Sequence, residues 1–297
     1  MSLSRIVLAV RFPVALTLLL PAPLVAQVRA SEPASISQTV DGTKLTVTYS
    51  RPRARSRDSL FGKIVKWDEV WTPGANLATT LELNKDIRLN GHAIPKGKYS
   101  LWLVVRKAAD WTVVLDPRAD LFHEAHPDST EKQIRFAIRP AERPFAEVLT
   151  WSFPEVRVNG MTLGMQWGTV YVPLEVEVQP SYQLGFPAGE AGRYLGNYEY
   201  RWKMPGDSGK AEAFIVTYEN GMLMGRWDPV PYPEWARFAL IRIKEDWFIP
   251  AFLDEKGILF EVAKELMFEF KIESGRATGL DVRGEDDKVM ATAKRTS

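Results

Sequence analysis

The sequence predicts an all-β protein, an antiparallel β-sandwich or jelly-roll-like domain followed by a small antiparallel β-barrel-like domain. Three observations predict it. From Ile36 onward, short runs alternate apolar and polar residues at period 2. Gly, Pro, Asn and Asp separate these runs at short intervals. No long amphipathic helical pattern stands between them, as a parallel βαβ sheet would require.

The elements follow in order. In "TKLTVTY", Leu45, Val47 and Tyr49 share one face and Thr46 and Thr48 the other, as a half-buried strand requires. "YSLWLVV" (Tyr99 to Val105), "WTVVL" (Trp111 to Leu115), "QIRFAIR" (Gln133 to Arg139) and "VYVPLEVEV" (Val170 to Val178) repeat the signal, and "NGHAIPKG" reads as a turn or loop. Pro173 cannot donate to a ladder, so its strand is expected at a sheet edge. These runs define a domain at residues 31–180. The Gly- and Pro-rich residues 181–191 are expected as a linker, and residues 192–297 as the second β domain. There, Asn220 and Gly221 suit the two positive-φ positions of a type I′ hairpin, "PVPYPEWARF" interrupts as a loop, and "ILFEVAKELMFEF" has a pattern that could open as a short helix.

Residues 1–30 have the form of an export signal. Arg5 and Arg11 supply charge, Phe12 to Leu20 an apolar stretch, and Ala26 or Ala30 a small residue before cleavage. The stretch is shorter than the roughly 20 residues needed to cross a bilayer. A periplasmic or secreted mature chain without a transmembrane span is therefore expected, an uncleaved anchor being the alternative. The chain has no cysteine, which excludes disulfides, thiol catalysis and Cys-ligated metal centres. Lys plus Arg number 38 against 37 Asp plus Glu, so no global field favours nucleic acid. No cofactor is implied.

Several motifs only approach chemistry. "GHAIPKGK" has the wrong glycine spacing for a phosphate loop and precedes a strand instead of a helix. Ser129 and Lys132 have Ser-x-x-Lys spacing without the helical context or Lys-Thr-Gly partner that chemistry needs. His123, Glu124, His126 and Asp128 in "HEAHPD" are metal-capable donors without a specified further ligand, and Pro127 breaks the segment. Arg51, Arg53, Arg55 and Arg57 would share one face of an extended segment and could clamp an anion, or else form a solvated basic edge.

"TVTYSRPRARSRDSLFGKIV", "WTPGANLATTLEL", "IPKGKYSLW" and "WTVVLD" together resemble the bacterial exported family catalogued as domain of unknown function 2911, from near Ser35 to near Val178. Ser50, Arg51, Pro52, Arg57, Gly62, Trp71, Gly74, Ala75, Asn76, Thr79, Gly97, Tyr99 and Ser100 match its pattern. The resemblance implies a secreted β domain without an established activity. Ser56 stands where the family usually has Gly, and Thr72 and Pro73 replace an Arg-Thr pair before the Gly-Ala-Asn, which weakens an anion site. "LGNYEYRW", "ENGMLMGRW" and "FEFKIESGRATGLDV" are similar to lipocalin-like β domains appended to serine β-lactamase-type hydrolases. Those domains are accessory and their catalytic partner is absent here, so no hydrolase activity follows.

The expected ligand site comprises Arg51, Arg57, Trp71, Asn76, Thr79 and Tyr99. An indole, an amide and arginines suit a sugar, a small polar ligand or a protein partner in the envelope. In a structural alternative, Asn76 ties loop backbone and Trp71 plugs the sandwich end. A hydrolase using Glu82 and Asp86, or a metal at His123 and His126, is the other function class. No metal site is assigned.

Overall fold

The computed structural model describes residues 30–57, 59–124, 126–203, 211–229 and 233–297. The expected leader, with Ala26, lies outside them. No helix among the described residues is long and apolar enough to cross a membrane.

The first eleven strands are β1 (Glu32–Val40), β2 (Thr43–Arg51), β3 (Val70–Trp71), β4 (Thr80–Leu83), β5 (Ile87–Leu89), β6 (His92–Ile94), β7 (Gly97–Val104), β8 (Trp111–Asp116), β9 (Ile134–Ile138), β10 (Ala141–Arg157) and β11 (Gly160–Val178). They form two antiparallel sheets. One runs β1-β2-β4-β7-β8-β9, with β3 on β7, and the other β10-β11-β5-β6. Leu45, Val47, Leu81, Leu101 and Val113 of the first sheet share a core with Leu149, Trp151, Leu163 and Val176 of the second, which makes the pair a sandwich. In β2 the period-2 prediction is met residue by residue, with Leu45, Val47 and Tyr49 buried and Lys44 and Thr48 exposed. β7 is buried on both faces from Tyr99 onward, because Ala78, Val114 and Leu121 cover Trp102 and Val104 on its outer side. That double cover explains why "YSLWLVV" is almost continuously apolar.

Two sequence expectations are corrected here. "NGHAIPKG" is more than a loop: Asn90 and Gly91, at φ 48° and 79°, turn β5 back onto β6. Pro173 is not on an edge strand, since β11 lies between β10 and β5. The β10 pairing runs to Tyr171 and the β5 pairing begins at Val176. The proline occupies the interval between them, where no ladder bond is lost.

The remaining strands are β12 (Gly196–Trp202), β13 (Glu212–Glu219), β14 (Met222–Asp228), β15 (Phe238–Lys244), β16 (Trp247–Leu253), β17 (Leu259–Val262), β18 (Met267–Glu273), β19 (Arg276–Arg283) and β20 (Val289–Arg295). The order β15-β14-β13-β12-β20-β19-β18-β16 closes on itself through β15–β16 pairing, so eight strands make an antiparallel barrel with β17 added outside on β16. Asn220 and Gly221, at φ 51° and 79°, make the expected type I′ hairpin. The short helix considered for "ILFEVAKELMFEF" does not form. β17 and β18 occupy it, joined by a tight turn in which Leu266 N–H bonds the Ala263 carbonyl at 3.3 Å. Among the described residues, Tyr194, Tyr198, Tyr200, Phe214, Trp227, Phe238, Phe248, Phe252, Phe268 and Phe270 pack together as the barrel core.

Ser31–Ser297 form one compact unit with separate sandwich and barrel cores. Residues expected as a linker are packed: Tyr182 and Leu184 lie on the barrel's outer face near Ile241 and Ile249, and Phe186 enters the interior core. A short helix, α1 (Ala188–Ala191), follows. Asp41, in the β1–β2 turn, joins these parts. Its carboxylate accepts from Ser181 Oγ at 2.8 Å and from Lys264 Nζ at 2.8 Å. Burial alone would raise its pKa, but the bonds from Lys264 and Ser181 outweigh it and hold the group below the ordinary carboxylate value. The junction is thus strongest above the unfolded carboxylate pKa and loosens as pH falls through the lower folded value. Asp41→Asn is expected to weaken it by about 1–2 kcal/mol. Lower hydrogen-exchange protection factors for the 181–186 amides, at neutral pH in the variant and at acid pH in the wild type, check this.

Candidate functional site

The stretch from Trp71 to Thr79 leaves β3 and returns as β4 through a knot of internal bonds. Thr72 Oγ1 donates to the Leu101 carbonyl and accepts from Thr79 N–H, both at 2.9 Å. The Pro73 carbonyl accepts from Thr79 Oγ1 at 3.0 Å and from Trp151 Nε1 at 3.1 Å. Gly74 is required because a Cβ there would meet Thr79 Oγ1 at 2.6 Å. Asn76 adopts φ 64°, a left-handed conformation that asparagine tolerates. Its Nδ2 donates to the Ser31 carbonyl at 3.1 Å and to Ser50 Oγ at 3.3 Å. Its own carbonyl accepts from His123 N–H at 2.9 Å and from His123 Nδ1 at 2.8 Å. Asn76 Nδ2, the Asn76 backbone carbonyl and the Thr79 hydroxyl are therefore committed to the scaffold.

The arginines do not form one face. The extended run ends after Ala54 because Arg55 and Ser56 both take positive φ, 54° and 56°. Arg51 bonds Thr150 Oγ1 at 3.1 Å, tying β2 to β10, and Arg53 lies 3.8 Å from Glu147. Arg57 is exposed. Tyr99 belongs elsewhere on β7. It precedes Leu103, the partner of Trp71, by four residues, about 13 Å of strand. Its hydroxyl donates to the Pro95 carbonyl at 2.8 Å, and burial, then the charge of Asp86, pushes its pKa up.

The residues of the alternative chemistry are dispersed. Glu82 is exposed on β4 opposite Thr46 and Lys98, whereas Asp86, directly before β5, accepts from Lys96 N–H at 2.7 Å. His123 is committed to Asn76, His126 is exposed, and the Asp128 carbonyl accepts from Gln133 at 3.0 Å. Among the described residues no three His, Asp or Glu side chains group as a metal-ligand set.

What the structure adds around Trp71 is aromatic. Trp71 stacks on Trp167 of β11 with ring centroids 6.0 Å apart, joining the two sheets at one end of the sandwich. Phe61 touches four indoles, those of Trp67, Trp71, Trp111 and Trp167, at 5.2–6.5 Å. Leu60 and Val65 anchor its loop in the core. Gly62, at φ 91°, lets Trp67 lie across the loop, because a Cβ would stand 2.4 Å from Trp67 Nε1. Trp111 and Trp167 are buried, while Phe61, Trp67 and Trp71 are half-buried and make up the partly exposed part of the cluster, the shelf. Exposed Ile64 flanks it on the same loop. Trp167 Nε1 is shut from solvent with no hydrogen-bond partner among the described residues.

Of the expected site, only Trp71 lies on this shelf. Phe61, Trp67, Trp111 and Trp167 were not expected. The aromatic density of "LFGKIVKWDEVW" is a usable signal for the first two. Trp167 has none, because its partnership with Trp71 spans two sheets.

No curated protein and no solved structure matches the chain. Residues 31–176, the sandwich from β1 nearly to the end of β11, match the model of the family described as protein of unknown function (DUF2911).

Proposed function

We propose that the protein is a noncatalytic binding module of the cell envelope and that the Phe61–Trp67–Trp71 shelf holds a glycan by its ring faces. One observation carries this reading. The loop beside the shelf commits Thr72, Thr79, the Pro73 carbonyl and Asn76 Nδ2 to the scaffold, so the partly exposed aromatic rings are the main feature left to meet a ligand. Such faces suit the C–H surfaces of sugar rings, and exposed Lys63 and Lys66 at the rim add polar contacts. The export-signal pattern and absence of cysteine in the sequence support an envelope location. Eight strands is also the number found in lipocalins. Since rings pack together as the barrel core, we read the barrel as an accessory domain that holds no ligand inside.

Tryptophan fluorescence titrated with a panel of soluble envelope oligosaccharides tests the proposal. Trp67→Ala is expected to weaken binding by about two- to tenfold, the scale of one lost stacking contact, read on the folded fraction because Trp67 also packs against the core. Asn76→Ala is expected to cost about 1–2 kcal/mol of stability while the folded fraction still binds. A panel that yields no saturable change, or a Trp67→Ala protein that binds like wild type, would defeat the reading.

A further inference from the structure

The barrel carries a second cluster that the shelf does not use. Between α1 and the β15–β16 hairpin lies an open cleft of about 400 Å³, within the size range of small-ligand sites. Arg193, Arg242 and Lys244 line it together with the carboxylates of Glu190 and Glu245. Arg242 is held in place over the Phe186 ring, its guanidinium carbon 4.3 Å from the centroid, and gives one terminal nitrogen to Glu190 at 2.6 Å. Arg193 gives one terminal nitrogen to Asp246 at 3.1 Å, and Tyr194 donates its hydroxyl to the same carboxylate at 2.6 Å. Both pairs are monodentate. In each arginine Nε is buried with no hydrogen-bond partner among the described residues.

A guanidinium edge presents Nε–H and a terminal N–H side by side, and an oxyanion bridging both makes two parallel charge-assisted bonds. Glu190 takes only one of the two on Arg242. It is also the movable member of the pair: its side chain is 51% exposed and sits on a helix of four residues, whereas Arg242 is 32% exposed and stacked. Displacing Glu190 would let a better-shaped oxyanion complete the Arg242 edge, with Arg193 and Lys244 lining the same cleft.

We propose that this cleft is a binding site for a small organic anion, a carboxylate or phosphate ester, for which Glu190 is the built-in competitor. It is independent of the aromatic shelf. Calorimetric titration of the full chain at low ionic strength, with inorganic phosphate and with succinate as separate probes, tests it and tells tetrahedral from planar oxyanions. Saturable binding of at least one probe is expected in the millimolar range or tighter. Arg242→Gln and Arg193→Gln should each weaken it at least tenfold. Glu190→Gln should tighten it several-fold, because the competitor is neutralised while the arginine edge is freed. That opposite sign distinguishes a site from a structural ion pair. Should Arg242→Gln fail to fold, the surface substitution Glu190→Gln still decides. No saturable binding of either probe, or a Glu190→Gln protein that binds no tighter than wild type, overturns the proposal.

Discussion

Trp151→Ala is expected to destabilise the sandwich by about 3–5 kcal/mol, the usual cost of removing a large buried aromatic side chain. Trp151 is 1% exposed and lies in β10 opposite Met165, with its ring in the core between the sheets. Its indole N–H bonds the Pro73 carbonyl, and its backbone N–H bonds Tyr49 Oη at 3.2 Å. The ring therefore supports the loop that starts from Trp71 as well as filling volume. Trp151→Phe separates the two roles. It retains much of the volume but leaves the Pro73 carbonyl with one donor, Thr79 Oγ1, and should cost less, about 1–2 kcal/mol beyond the volume lost. Urea denaturation of the full chain measures both. Because the barrel has its own core, a sandwich defect should shift one part of the unfolding curve more than the other. A Trp151→Ala protein within 1 kcal/mol of wild type, roughly the typical effect of any substitution, would show that the ring does not support the structure.

Asp116→Ala is expected to be the second large loss, about 2–4 kcal/mol, because it removes a buried charged acceptor that takes four hydrogen bonds. The Asp116 side chain is inaccessible to solvent at the end of β8. It accepts from Arg118 N–H at 2.8 Å, Arg118 Nε at 2.9 Å, Arg118 Nη2 at 2.8 Å and Gln133 Nε2 at 2.7 Å. The side-chain bonds from Arg118 are the largest influence and, with Gln133, prevail over burial to bring its pKa from 3.8 to about 2. A folded pKa below the unfolded one contributes stability that is complete above pH 4 or so, and the difference is worth about 2 kcal/mol. That contribution disappears as pH falls through about 2. Wild type and Asp116→Ala should therefore converge in stability on acidification. Melting curves between pH 7 and pH 2 measure the convergence, and parallel curves across that range would contradict it. The variant also bears on the site, since Asp116 anchors a segment that includes Leu121, which covers Trp102, and His123, which bonds Asn76.

The asymmetry between the legible fold and the poorly legible site has a physical origin. Leu45, Val47 and Tyr49 announce β2 because strand side chains alternate whatever the partner strand is. The Asn220–Gly221 turn is equally local, needing only two residues that accept positive φ. Arg51, Arg53, Arg55 and Arg57 misled in the opposite way. Their alternate spacing suggests one face only if the backbone stays extended, and the two left-handed residues Arg55 and Ser56 end that condition. Pro173 is a related case, since its cost depends on which neighbour pairs at that point of β11. Asn76 and Thr79 were expected at the ligand site, and their bonds to Ser31, Ser50, Pro73 and His123 tie them to the scaffold as well, which no local pattern announces.

By itself, the amino-acid sequence determined the strand-forming period, the turns and the all-β class, all of which arise from interactions within a few residues. Only the tertiary structure decided that Trp71 meets Trp167 beneath Phe61, that β15 closes the barrel on β16, and that rings pack together as its core. Those outcomes depend on strand register and sheet packing between distant segments. The same alternating pattern is compatible with many pairings, and only burial of both faces together selects one.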